Sequence, residues 1–114
     1  AGYPKYDQVT GLLSFNRFRE EVDSVIASGK GKSCLLVYTD LENFKYFNRK
    51  YGYAAGDQLL REFTGYIIDT LKKRNTAHFT RVVADQFILF FEEKWNNGSI
   101  EAIKRINNGR KRII

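Results

Sequence analysis

At 114 residues the chain is long enough for one hydrophobic core and too short for two, so residues 1–114 are read as a single domain. The composition is globular, 43% hydrophobic and 15% aromatic. No apolar run approaches the roughly twenty residues of a membrane span and no secretory signal opens the chain, so a soluble, cytoplasmic domain without membrane contact is expected. The formal net charge of +6 is weighted to a tail in which Lys104, Arg105, Arg110, Lys111 and Arg112 fall within the last eleven residues; this is a solvated basic end outside any nucleic-acid-binding module, and no nucleic-acid partner is expected.

In chain order, 12–27 (LLSFNRFREEVDSVIA) reads as an amphipathic helix with Phe15, Phe18, Val22 and Ile26 on one face. After the loop SGKGKS, 33–39 (SCLLVYT) is an almost unbroken apolar run, the pattern of a central strand covered on both faces. Cys34 lies within it as a small buried hydrophobe, and a lone cysteine makes no internal bridge. A short helix over 43–51 is stopped by Gly52, and a longer one follows over 55–74, with Leu59, Leu60, Phe63, Ile67, Ile68 and Leu71 as its apolar stripe. Lys72, Lys73 and Arg74 suit its C-terminal dipole end. The runs 79–83 and 87–91, separated by Ala84, Asp85 and Gln86, suit a β-hairpin. After KWNNGS, a last helix is expected over 100–107. The order helix, strand, helix, helix, hairpin, helix describes an α/β (α+β) layer whose sheet is at least partly antiparallel.

The stretch YTDLENFKYFNRKYGYAAGDQLL, residues 38–60, is the most informative. It delivers Asp40 off the end of an apolar strand into a polar turn, where a carboxylate can hold a hard cation while nearby main-chain NH groups stay free for phosphate. Asp40 and Asp57 both also stand near expected helix starts, where an Asp caps free NH groups, and Lys45 also reads as a solvated helix lysine.

Four segments, taken together, resemble the GGDEF domains, whose active members are diguanylate cyclases that join two GTP into cyclic di-GMP. Residues 7–13 (DQVTGLL) look like the D-x-L-T-G-L opening, 40–48 (DLENFKYFN) like the D-x-D-x-F-K-x-x-N segment, and 51–60 (YGYAAGDQLL) follows at the family's spacing. Residues 83–87 (VADQF) stand where the name motif belongs, with Val83 and Ala84 in place of two glycines and Gln86 in place of an acid.

The resemblance implies a palm-like sheet of the nucleotidyl cyclase type, flanked by helices. It implies that Asp40, Asp85 and the Leu41 carbonyl hold Mg2+, Asp85 being also the catalytic candidate, and that Asn48 and Asp57 recognise guanine, for which an amide and a carboxylate are chemically suited. Lys45 then lies near the phosphates, lined by the NH groups of Asn43 and Phe44. The family's product-inhibition motif, R-x-x-D, falls on 74–77, where Arg74 is kept and Ala77 replaces the acid, so tight cyclic di-GMP binding there is not expected. His78 reads as a surface or strand-end residue rather than a base. Family members continue past the hairpin and its helix into a further strand, another hairpin-like segment and a final helix. Here the ending GRKRII follows almost at once, so the chain is read as a fragment or trimmed form of a larger multidomain protein.

Two glycines would permit the positive φ angles of a tight turn and a close approach of backbone to nucleotide, which Val83 and Ala84 do not permit cheaply. With Gln86 removing a charge as well, the resemblance implies a catalytically inactive GGDEF domain acting as a GTP-binding regulatory module. It would be attached to a phosphodiesterase EAL or sensor domain and could form a homodimer. The alternatives are a weakly active diguanylate cyclase and a purely structural or dimerisation domain.

Overall fold

The computed structural model of the chain describes residues 4–29, 34–72, 77–91 and 100–106. Its elements are α1 (Phe15–Ala27), β1 (Leu35–Thr39), α2 (Phe44–Tyr51), α3 (Tyr53–Leu71), β2 (Ala77–Val83) and β3 (Gln86–Phe91), followed by a short helix, α4 (100–106). The element order is the one expected. KWNNGS, GRKRII and Arg74 of the product-inhibition position lie outside the described residues.

The strands form one antiparallel sheet in the order β1-β3-β2. This corrects the expectation that the 33–39 run is central and covered on both faces. In β1 exposure alternates, with Leu36 44% and Tyr38 73% exposed, whereas Phe87–Phe91 of β3 are all buried. The reason is position: β3 has a strand on each side and helices over both faces, while β1 pairs among the described residues with β3 alone. Cys34, just before β1, is half-buried and packs beside the Phe18 cluster.

Cross-strand register divides the sheet into two faces. Leu35, Val37, Phe87, Leu89, Phe91 and Phe79 look toward α3, whose Leu59, Leu60, Phe63, Ile67 and Leu71 complete the main core with Ala102 and Ile106 of α4. The Tyr66 hydroxyl donates to the Arg105 carbonyl and ties α4 to α3. Ile68, expected in this stripe, is instead 50% exposed: it lies beyond the edge of the strip that the sheet covers. On the other face α1 packs Phe18, with Phe15, Val22 and Val25, onto Ile88 and Phe90. Val25 takes the place expected of Ile26, which is 55% exposed.

The N-terminal boundary of α1 also moves. Ser14 is its N-cap and accepts from the Arg17 NH, because residues 7–13 are occupied in a turn of their own. The Asp7 carboxylate accepts from both the NH and the hydroxyl of Thr10, the Asp7 NH donates to the Leu12 carbonyl, and Gly11 supplies a φ of +74°. Leu12, released from the helix, enters the main core. No helix among the described residues is long and apolar enough to cross a membrane.

Candidate functional site

The site is made by two tight turns that meet. At the end of β1 the chain turns through Asn43, whose left-handed backbone (φ 62°, ψ 24°) is one an Asn tolerates, and α2 starts with no side chain capping it. Asn43 therefore occupies the N-cap position, so Asp40, three residues earlier, is not the cap that one reading of the sequence allowed. Gly52 alone, at φ 92° and ψ 164°, separates α2 from α3, a conformation essentially restricted to glycine. Because one residue suffices for the turn, α3 starts at Tyr53 rather than Ala55, and Asp57 sits within the helix instead of capping it.

The second turn is the β2–β3 hairpin. Val83 pairs with Gln86, leaving Ala84 and Asp85 as a two-residue loop, and the register shifts between Arg81 and Val83 as in a β-bulge. Val83 stays within β2 and has no positive φ; Ala84 carries the left-handed angle, φ 51°. The expectation of two strained positions thus becomes one. The loop is tied down twice: Arg81 Nε donates to the Ala84 carbonyl at 2.7 Å, and the Leu41 NH donates to the Asp85 carboxylate at 2.9 Å.

Between these turns lies a cleft of about 720 Å³. Its walls are Phe44, Lys45, Asn48 and Arg49 of α2, Gly52 and Tyr53 at the helix joint, and Ala84 and Asp85 of the hairpin. Of the residues singled out from sequence, Phe44, Lys45, Asn48 and Asp85 are brought together here. Leu41 is 2% exposed and lies behind the cleft, touching it through the NH that Asp85 holds. Asp40 faces the other side of the hairpin, in a pocket of about 500 Å³ shared with Phe15, Tyr38, Val82 and Gln86. Asn43 and Asp57 are outside the cleft lining; Asp57 directly follows Gly56, against which the Asn48 amide rests. His78 is the second residue of β2 and its Nδ1 lies 3.1 Å from a Glu21 carboxylate oxygen, a contact between strand and α1 away from the cleft.

The sequence reading missed Arg49 and Tyr53. Arg49 adds a second cation beside Lys45, and Tyr53, 80% exposed, offers an aromatic face at the rim. The signal for both was their place in 38–60, but which side of a helix faces a hairpin is set by pairings far along the chain.

For a cation, the register Thr39↔Phe87 puts the Asp40 end of β1 beside the hairpin that carries Asp85. Two carboxylates and the Leu41 carbonyl are hard oxygen donors that suit magnesium, which keeps waters and substrate phosphates in its other positions. Among the described residues no group of three or more His, Cys, Asp or Glu side chains gathers at any point. The loop also connects to the N-terminal turn: Arg81 Nη1 lies 3.2 Å from an Asp7 carboxylate oxygen. Burial pushes the Asp7 carboxyl up, but the Thr10 hydroxyl and NH and the Arg81 charge outweigh it and hold it below its ordinary value of 3.8.

An antiparallel sheet whose hairpin turn faces the mouth of a helix–helix joint, with cations and an amide on one wall and a carboxylate on the other, defines a palm-type α+β domain with a candidate ligand cleft. The family model described as "Diguanylate cyclase, GGDEF domain" matches residues 4–113, and the chain belongs to the GGDEF family. It is 32% identical over 89 residues to the diguanylate cyclase DgcS of Shewanella oneidensis, and 34% identical over 83 residues to the cyclic di-GMP phosphodiesterase PdeR of Escherichia coli. These matches cover 76% and 73% of this chain but only 29% and 12% of the two relatives. Among solved structures, the GGDEF domain of FimX from Pseudomonas aeruginosa shares the fold with a TM-score of 0.82 at 20% identity, over 94% of this chain and 66% of that one. The coiled coil and GGDEF domain of DgcB from Caulobacter crescentus, in complex with c-di-GMP, gives 0.77 at 25% identity over 90% and 53%.

Proposed function

We propose that this chain is a catalytically silent GGDEF domain that binds a guanine nucleotide and acts as a regulatory module in cyclic di-GMP signalling. The observation that carries the reading is the contrast between the two walls of the cleft. The α2 wall keeps what nucleotide binding needs: exposed Lys45 and Arg49, a helix start free of a side-chain cap, and an Asn48 amide whose Oδ1 is buried without a hydrogen-bond partner among the described residues. The hairpin wall has lost what catalysis needs. It holds Ala84 in a glycine's conformation and engages Asp85 with the Leu41 NH, while Gln86 of the same hairpin, on the side of the Asp40 pocket, stands where the family has an acid.

In this reading Asn48 and Asp57 address the polar edge of guanine, the carboxylate accepting from the ring and exocyclic NH groups. Lys45 and the NH groups of Asn43 and Phe44 hold phosphate, the partial positive end of α2 reinforcing them. Asp85 in the cleft, and Asp40 and the Leu41 carbonyl at the strand end beside the hairpin, are the oxygen donors that would hold Mg2+, which would supply neutralisation of phosphate charge. Gln86 can neither carry the missing negative charge nor exchange a proton, so developing charge at a reacting hydroxyl goes unmanaged. The regulated partner is an attached EAL or sensor domain of a longer cytoplasmic protein, in which this chain forms one domain; DgcS and PdeR, similar to this chain over a minor part of their lengths, support that arrangement.

A second reading, a weak diguanylate cyclase in which two copies meet face to face, draws support from the approach of the Asp40 strand end to the Asp85 turn. Calorimetric titration with GTP and magnesium, alongside Asp40→Ala and Asp57→Ala and with a cyclic di-GMP assay on the same samples, separates the readings. The regulatory reading expects affinity of about micromolar order, weakened in both variants, and no product. Product would favour the cyclase. Absence of binding would leave a structural or dimerisation domain.

A further inference from the structure

Gly56 stands inside α3 without a left-handed φ, so backbone conformation does not call for a glycine there, and glycine is a poor helix former. What calls for it is Asn48. A Cβ on Gly56 would stand 1.8 Å from Asn48 Oδ1 and 2.9 Å from its Cγ, far inside van der Waals contact. The three nearest atoms all belong to the Asn48 side-chain amide, so the close approach is between that amide and the bare helix backbone. Gly56 is buried, Asn48 Oδ1 is buried and unpartnered among the described residues, and the same side chain lines the cleft. An unpaired buried acceptor is costly, and such orphans in native structures call for an explanation.

We propose that Gly56 is a positioning residue for base recognition: it forms the flat seat against which the Asn48 Oδ1 is turned, and so fixes the angle at which the rest of the amide is presented to a guanine base at the cleft. The proposal rests on the reading of the cleft as a guanine-nucleotide site. A helix presenting any side chain at position 56 would push the amide outward, and the preference for guanine over adenine would go with it, because discrimination by a polar group depends on its placement. At the joint, the Gly52 NH donates to the Asn48 carbonyl and the Gly56 NH to the Gly52 carbonyl, so both residues of the pair are tied to the same single-residue link.

The test is a double-mutant cycle with Gly56→Ala and Asn48→Ala, read by melting temperature without nucleotide and by GTP and ATP titration. Gly56→Ala is expected to lower the melting temperature, weaken GTP about tenfold or more and reduce the preference for GTP over ATP. In the Asn48→Ala background, where no amide remains to be displaced, the same change should raise the melting temperature through the better helix propensity of Ala and leave GTP binding unaltered. The inference is overturned if Gly56→Ala binds GTP with the parent's affinity and preference, or if it costs as much in both backgrounds. Should Gly56→Ala fail to fold, the double variant must fold; its failure would also overturn the seat. A parent chain that binds no GTP would defeat the nucleotide reading itself, an outcome distinct from a parent that binds and a Gly56→Ala variant that binds equally.

Discussion

Ala84 is the residue at which the hairpin's departure from glycine is felt. Its φ of 51° sets Cβ against the neighbouring carbonyl, which costs roughly 1–2 kcal/mol in a non-glycine residue. Gly at this position would remove that strain but bring greater freedom to the unfolded chain, an opposing term of about 0.5–1 kcal/mol. Ala84→Gly is therefore expected to stabilise the domain by about 0.5–1 kcal/mol, seen as a higher urea midpoint at unchanged m-value. A lower midpoint would mean that the turn is not left-handed in solution. Val83 was expected to share this strain because the sequence places it where a glycine belongs. It does not, because the bulge next to Arg81 absorbs the extra residue within β2, and a register shift is invisible without knowing what each residue pairs with.

At the scale of elements, the N-terminal turn and the hairpin are one mechanical unit joined by Arg81. Its guanidinium donates to the Ala84 carbonyl and to Asp7, and Asp7 is also held by Thr10. The pH dependence follows from the direction of the Asp7 shift. Its carboxyl is held below 3.8 in the folded state, so its contribution is complete above the unfolded value and disappears as pH falls through the lower folded value. Urea unfolding of the parent and Asp7→Asn should differ most above about pH 5 and converge as pH falls toward about 2. A constant gap would mean that Asp7 acts by shape rather than charge. Both partners were legible in sequence, Asp7 through the opening segment and Arg81 beside the name motif, but the pairing joins residues more than seventy positions apart and no local pattern announces it.

The whole molecule is held by the α3-facing side of the sheet, where Phe63 and Phe87 meet edge to face at 5.2 Å and Phe87 stacks on Phe79 at 5.3 Å. Phe63 is fully buried, and its removal leaves a cavity lined by residues from helix and strand together. Phe63→Ala should cost about 3–5 kcal/mol, a large part of the stability of a domain this size. Circular dichroism melts would show it as a lowered or lost transition. A loss under about 1 kcal/mol would indicate a core able to collapse around the gap. Because Phe63 is not among the residues that line the cleft, a milder substitution there, Phe63→Leu, should weaken nucleotide binding only as far as it lowers stability.

Local chemistry made the element order readable from the chain: apolar residues at helical spacing, β-rich runs and the glycine between α2 and α3 act over a few residues, and their consequences reach no further. The family resemblance and the four segments that carry it are likewise properties of short stretches in order. Tertiary structure alone decided that β3 rather than β1 is the central strand, that Ile26 and Ile68 are left exposed, that Ala84 and not Val83 bears the strain, and that Gly56 is the seat of Asn48. Each depends on which segments lie side by side, and side-by-side placement is settled by the burial of the sheet's faces as a whole, a sum that no single stretch of sequence contains.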